Sequence, residues 1–348
     1  MHRAVRQDTT REWRDGILDE DSPELLRWSR EAKKTKKTKN RVIDPESTDS
    51  QSGVVLQVNR KTCLVLTKSG HEYNCQVSKR LDLSSFFGIT VGDKVLFSTK
   101  IGVSGIILNI LPRKNHLYRP GPVDRKNQRL LIAANIDMAI VFFAMKAPDF
   151  NSRLLDRYLG RMARFAIPPV ICINKSDLCE KIPSEILYYK KIGYHIITCS
   201  IKSGEGIGGL REAMTGKKSV ITGPSGVGKS SFVKYVSPDA NVKTGSVRSF
   251  DGKGRHTTSR SQLYMLDDHT WLIDTPGMRE MALHDFSLED LAVTFPEIQA
   301  LAWKCEFRDC KHLDEKGCAV TKALNLGDLP QFRYESYKRI LDEILSFK

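Results

Sequence analysis

The stretch ITGPSGVGKSSF, Ile221 to Phe232, decides how the rest of the chain is read. Gly223, Pro224, Ser225, Gly226, Val227, Gly228, Lys229 and Ser230 fit the pattern G-x-x-x-x-G-K-[ST], with Ser231 next. An apolar run, KSVIT, precedes them, and a helix-like stretch follows. Strand, glycine-rich turn and helix are the context in which this pattern binds phosphate. The glycines let backbone N–H groups wrap around phosphate oxygens. Lys229 offers a point charge to the outer phosphates, and the Ser230 hydroxyl suits Mg²⁺.

Working outward, the neighbouring segments read as the remaining strands of a parallel sheet. The runs MAIVFFA (Met138–Ala144), PPVICIN (Pro168–Asn174), HIITCS (His195–Ser200) and TWLID (Thr270–Asp274) are short and continuously apolar. Such runs suit strands buried on both faces. SRLLDRYLGRMARFA (Ser152–Ala166) lies between two of them and reads as a crossover helix. The expectation is an α/β domain over 114–290, entered through a linker, PRKNHLYRPGPVDRKNQR (Pro112–Arg129).

Two further motifs complete a phosphate site. WLIDTPG places Asp274 at a strand end, where a carboxylate can hold the Mg²⁺ shell, and Gly277 where a bare backbone N–H can approach a γ-phosphate. In the loop GKGRHTTSR, Thr257 or Thr258 is the candidate switch threonine, a Mg²⁺ ligand only when the γ-phosphate is present.

Base specificity is carried by NKSD, Asn174-Lys175-Ser176-Asp177. Asp177 can accept hydrogen bonds from guanine N1–H and its N2 amino group, while Asn174 braces the other edge. Adenine lacks that donor pair, and sites built on such pairing reject the analogue by about 10⁴-fold. CSIK, with Ser200, Ile201 and Lys202, resembles the loop whose backbone contacts the guanine O6. The order is base loop, O6 loop, phosphate loop, switch threonine, DTPG. That is a circular permutation of the usual GTPase, tolerated because domain termini tend to lie at the surface and close together.

The flanks differ in texture. Residues 1–50 are highly charged, and Arg30–Arg41 carries seven basic residues against one acid, the mark of a solvated arm. From 51 to 113 apolar and polar residues alternate between turn signals, which suggests an OB-type barrel or a small SH3-like one. The segment 291–348 is helical and holds Cys305, Cys310, His312 and Cys318, a C-x4-C-x-H-x5-C spacing that suits one structural Zn²⁺. The other five of the eight cysteines read as reduced, mostly buried residues.

Over 348 residues the formal net charge is +14, which favours a polyanionic partner such as nucleic acid. No apolar run approaches a membrane span, and the first residues carry no signal-peptide core, so the expectation is a cytoplasmic protein with no membrane partner.

With its barrel, permuted motifs and cysteine cluster, the chain resembles the bacterial small-ribosomal-subunit GTPases of the RsgA (YjeQ) family from about Gly53 onward. The resemblance rests on AANID, INKSDL, GPSGVGKSS, GRHTT, DTPGMRE and the zinc spacing. It implies a GTP-hydrolysing factor in late maturation of the small subunit, which binds rRNA as a monomer and leaves after hydrolysis. It also implies that His256 takes part in catalysis with Lys229, Thr257 and Thr258, because Met278 stands where a water-orienting glutamine is often found. A permuted GTPase of large-subunit assembly, or an RNA-binding module with a static guanine site, are the rival readings.

Overall fold

The computed structural model describes residues 50–120, 129–237, 262–274 and 286–346, apart from 60, 79–80, 82–87, 100–103 and 268. The basic run at Arg30–Arg41 lies outside the described residues, as do His256, Thr257, Thr258, Gly277 and Met278.

The alternating segment closes into a five-stranded barrel of OB type. Its strands are β1 (Ser50–Val58), β2 (Thr62–Thr67), β3 (Glu72–Val77), β4 (Lys94–Thr99) and β5 (Ser104–Ile110), in the order β1-β2-β3-β5-β4. Only β3 and β5 pair in parallel. Val55, Val65, Val95, Phe97 and Ile107 point inward and are fully buried, which is why the sequence alternates.

The stretch expected to be a linker is more ordered than its Pro- and Arg-rich composition suggests. Within it β6 (His116–Pro120) pairs antiparallel with β7 (Arg129–Ala134). Leu117 and Tyr118 are buried in the main core, so two apolar residues suffice to pin the strand. Arg113 locks the barrel's edge at the start of this segment. Its guanidinium donates to both carboxylate oxygens of the buried Asp93, at 2.6 and 2.8 Å, and to Gly88 O at 2.7 Å.

Six strands form the central sheet: β8 (Met138–Ala144), β9 (Pro169–Asn174), β10 (His195–Thr198), β11 (Lys218–Thr222), β12 (Gln262–Met265) and β13 (Trp271–Asp274). Their spatial order is β10-β9-β8-β11-β13-β12, and all neighbours run parallel except β12 with β13. Helices α1 (Ser152–Arg164) and α2 (Ser184–Lys191) cover one face. Helices α3 (Ile207–Met214) and α4 (Lys229–Val236) cover the other. The residues of β8 show why its sequence is unbroken apolar. Ala139, Val141 and Phe143 enter the first core, and Met138, Ile140, Phe142 and Ala144 enter the second.

The C-terminal region consists of α5 (Leu288–Thr294), α6 (Pro296–Ala302), α7 (Ala319–Asn325) and α8 (Gln331–Ser346) around their own apolar cluster. Ser287 and Asp290 form a capping box that starts α5. This region docks on α1 through charge. Arg333 of α8 has no exposed side-chain surface and pairs with the equally enclosed Asp156 of α1 and with Glu297 at 2.6 Å. Its guanidinium lies 4.4 Å from the Phe295 ring centroid and 5.1 Å from that of Tyr189. Burial opposes the guanidinium charge, but Asp156 and Glu297 beside it outweigh that and raise its pKa. Arg164–Asp290 and Arg157–Glu343 add two further pairs along the same seam.

Candidate nucleotide site and metal centre

The parallel strands β9, β10, β11 and β13 end at Asn174, Thr198, Thr222 and Asp274, all at one edge of the sheet. Carboxyl ends of parallel strands are where open α/β sheets hold ligands. The phosphate-loop residues Gly223 to Gly228 connect β11 to α4, and Lys229 opens the helix.

Two of the loop's glycines are fixed by close approach. Gly223 has φ +137°, and a Cβ there would stand 2.1 Å from Phe142 O. Gly228 has φ +100°, and a Cβ would stand 2.2 Å from Asn174 Nδ2. The Lys229 ammonium donates to Gly223 O at 2.8 Å and also to Pro224 O. Ser225, Ser230 and Ser231 are exposed on the loop and the first turn of α4.

The base-reading residues are tied to this loop, although some fifty residues separate them in the chain. Asn174 Nδ2 donates to Val227 O at 2.8 Å, and its Oδ1 accepts the Ile201 N–H at 3.2 Å. One buried amide therefore connects NKSD, CSIK and the phosphate loop. Lys175, in the left-handed region at φ +61°, donates to Gly226 O at 2.8 Å and to Ala147 O. The buried Ser200 hydroxyl donates to Asp177 Oδ1 at 2.7 Å and accepts the Ser203 N–H at 3.2 Å. That leaves Asp177 exposed at the lip, with its other carboxylate oxygen unpartnered among the described residues. Lys202 is also exposed.

Asn174, Lys175, Asp177, Ser200, Ile201 and the 223–231 segment thus converge at one sheet edge. Asp274 reaches the same edge by its backbone, in register with Ile221. His256, Thr257, Thr258 and Gly277 lie outside the described residues. Two contributors were not visible in the motifs. Ala147 O anchors Lys175, and the Cys199 thiol lies under Asn174, 3.8 Å from its Oδ1. A carbonyl carries no side-chain signal, and a lone cysteine in an apolar run reads only as core.

Cys305, Cys310, His312 and Cys318 come together with their ligand atoms all within 4.8 Å of one another. Three thiols and an imidazole at that spacing fit tetrahedral zinc, whose Zn–S bonds are about 2.3 Å. The surroundings fit too. Backbone N–H groups of Ala319 and Thr321 donate to Cys305 Sγ and Cys318 Sγ, both at 3.4 Å, as thiolate sulfurs require. Tyr334 donates to His312 O at 2.7 Å, and Glu315 accepts the N–H groups of Lys311 and Leu313 at 2.7 Å each. Burial lowers the His312 pKa, which keeps the imidazole neutral and able to ligate. Burial, with Cys318 and Cys305 adding to it, pushes the Cys310 thiol up to about 12.

The sheet order, the phosphate loop and the base loop that precedes it define a circularly permuted P-loop GTPase fold with an N-terminal barrel and a C-terminal Cys/His cluster. The sequence model of the family described as RsgA GTPase matches residues 110–284. The small ribosomal subunit biogenesis GTPase RsgA of Haemophilus influenzae (strain 86-028NP) is 36% identical over 309 residues, 86% of this chain and 87% of that protein. The protein of the same name from Bacillus cereus (strain ATCC 10987 / NRS 248) is 38% identical over 259 residues, 73% of this chain and 84% of its own. This chain therefore belongs to the RsgA GTPase family. Among solved structures, YjeQ from Thermotoga maritima superposes with a TM-score of 0.68 at 29% identity, covering 85% of this chain and 99% of that one. YloQ, described as a circularly permuted GTPase, gives 0.68 at 28% identity, covering 87% and 98%. Among the described residues no helix is long and apolar enough to cross a membrane.

Proposed function

We propose that this protein hydrolyses GTP to GDP and phosphate during late maturation of the small ribosomal subunit, binding rRNA and leaving after hydrolysis. The observation that carries the reading is the Asn174 amide joining the base loop to the phosphate loop, in a chain whose relatives bear the name small ribosomal subunit biogenesis GTPase. In this reading Asp177, held by Ser200, takes the guanine N1–H and amino group, and the Ser200–Lys202 backbone faces O6. The N–H groups of the 223–228 loop and the Lys229 ammonium hold the phosphates. Ser230, Asp274 and one of Thr257 and Thr258 hold Mg²⁺, which supplies charge neutralisation at the phosphate oxygens. Gly277 lets its N–H reach the γ-phosphate.

His256 orients or deprotonates the attacking water, because the thioether of Met278 cannot. GTPases that do carry the glutamine hydrolyse alone at only about 10⁻⁴ to 10⁻² s⁻¹. Hydrolysis here is slower still until docking on the small subunit holds His256 in place. The basic arm 1–50, the barrel 51–113 and the zinc module 291–348 supply the docking around the GTPase domain 114–290. The protein works as a cytoplasmic monomer with no membrane partner.

The test is GTP turnover by the purified protein with and without purified small subunits. A slow basal rate that rises sharply with subunits, falls with added salt and is lost in His256→Ala is the expected result. ATP competing within about tenfold of GTP overturns the guanine assignment. Equal stimulation of His256→Ala and the unaltered protein overturns the role of His256.

A further inference from the structure

Beneath the base loop lies a pair of sulfurs apart from the zinc set. Cys172 is in β9, two residues before Asn174, and Cys199 follows the last residue of β10 and precedes Ser200. Both side chains have no exposed surface, and their Sγ atoms stand 3.4 Å apart. The strands are parallel, with Ile173 opposite Thr198, and the Cys199 N–H donates to Ile173 O at 2.9 Å. Cys199 Sγ is also within 3.8 Å of Asn174 Oδ1, the oxygen that accepts the Ile201 N–H. The pair therefore sits at the joint between the two loops assigned above to the guanine base.

We propose that Cys172 and Cys199 are a redox-modifiable dithiol, and that its oxidation to a disulfide by a hydroperoxide weakens guanine-nucleotide binding. The loss of affinity rests on the guanine reading above, whereas formation of the bond does not.

The chemistry balances with one equivalent of hydrogen peroxide. The Cys199 thiolate attacks a peroxide oxygen, the O–O bond breaks, and hydroxide leaves to become water on taking the thiol's proton. Cys172 then attacks the resulting sulfenic sulfur, forming S–S and expelling hydroxide, which takes the Cys172 proton. Two thiols lose two electrons and the peroxide is reduced to two waters. Cys199, just past the end of β10 and next to the Ser200 loop, is the attacking sulfur; the Cys172 hydrogen bond favours its thiolate, and burial pushes Cys172 up.

A disulfide needs its sulfurs about 2.05 Å apart, so these must close by about 1.4 Å from their present separation. That movement pulls the start of the Ser200 loop toward β9 and disturbs the Asn174 amide, which bridges three segments. The barrel offers a contrast. Cys63 and Cys75 face each other across β2 and β3, yet burial pushes them to about 12 and about 11, and neither adjoins a loop of the site.

The experiment treats the full-length, nucleotide-free protein with hydrogen peroxide, maps its peptides by mass, and titrates a fluorescent GDP analogue. A linked Cys172–Cys199 peptide, two hydrogens lighter, is expected, with affinity about tenfold weaker and restored by dithiothreitol. Cys172→Ala and Cys172→Val should bind the analogue like the unaltered protein and keep that affinity in peroxide. Absence of the linked peptide overturns the proposal, as does a linked peptide without loss of affinity. Equal loss in both Cys172 variants overturns it too, by assigning the effect to other cysteines. Failure of the reduced protein to bind the analogue would instead strike the guanine reading, and the linked peptide still reports on the dithiol.

Discussion

The central sheet and the C-terminal module solve stability in different ways. Strands β8, β9 and β11 bury both faces between helix layers, so the sheet rests on apolar area and its own strand ladders. The module has three helices of seven residues each and one of 16, and helices that short do not persist by themselves. It compensates with the Cys/His cluster and with the enclosed Arg333–Asp156–Glu297 group. The sheet can therefore carry a site on its loops without outside support. The module leans on the Cys/His cluster and on α1, so it is the part whose position responds to a local change.

The largest effect should come from the sheet side and leave the module alone. Asp177→Asn removes the acceptor for the guanine N1–H and amino group and leaves an amide that pairs with xanthine. GTP affinity should fall by up to about 10⁴-fold, with a matching preference for xanthosine triphosphate, measured by competition against a fluorescent GDP analogue. Zinc content and melting temperature should not change. If they do, the two regions are not as separate as their cores indicate.

Arg333→Ala tests the other side. It leaves Asp156 enclosed without its cation, a change that costs about 3–5 kcal/mol when a buried pair is broken. Denaturant unfolding should become biphasic, with the module lost first and GDP binding retained to the second transition. Replacing all three members, Arg333→Met with Asp156→Leu and Glu297→Gln, should recover much of that loss, because no charge is then stranded. A single unshifted transition in Arg333→Ala would mean that the seam contributes nothing to docking.

Gly160→Ala is a smaller intrusion at the same seam. A Cβ on Gly160 would stand 2.6 Å from Thr294 Oγ1 and 3.0 Å from the Phe286 ring, so α1 and α5 must separate slightly. Overpacking of this kind costs about 1–3 kcal/mol. The melting transition of the module should drop while GDP affinity holds, and an unchanged transition would show that the seam relaxes freely.

These two regions were also unequally legible in the sequence. The convergence of the base and phosphate loops could be anticipated because the motifs assigned to phosphate and guanine carry particular residue types at fixed spacings, Gly223, Lys229, Asn174 and Asp177 among them. The sheet could be read because strands buried on both faces leave unbroken apolar runs such as MAIVFFA. The convergence of Cys305, Cys310, His312 and Cys318 followed from spacing alone. β6 was hidden because only Leu117 and Tyr118 mark it within a Pro- and Arg-rich stretch. Arg333 and Asp156 were hidden for a deeper reason. On a helix, isolated charges read as a solvated face, and only the docking of α8 on α1 encloses them. The position of Cys199 beneath Asn174 was equally invisible, since a buried cysteine has no spacing rule unless it binds metal.

The smallest effect belongs to Arg157, which sharpens the contrast by asking how much of the docking is geometry and how much is charge. Its guanidinium meets Glu343 as a fork, Nη1 to Oε2 at 2.5 Å and Nη2 to Oε1 at 3.0 Å, with both side chains about a quarter exposed. Arg157→Lys keeps the charge and removes the second hydrogen bond. Solvent screening limits pairs of this exposure to about 1 kcal/mol or less, so the module's transition should shift by only a few tenths of a kcal/mol. Arg157→Gln, which removes the charge as well, should shift it further, and added salt should narrow the gap between the two variants. If the lysine variant loses as much as the glutamine one, the fork geometry of Arg157, and not its charge, holds this end of α8. If neither variant moves the transition, the Arg157–Glu343 pair contributes nothing to docking, and its electrostatic part lies at Arg333 and at Arg164–Asp290.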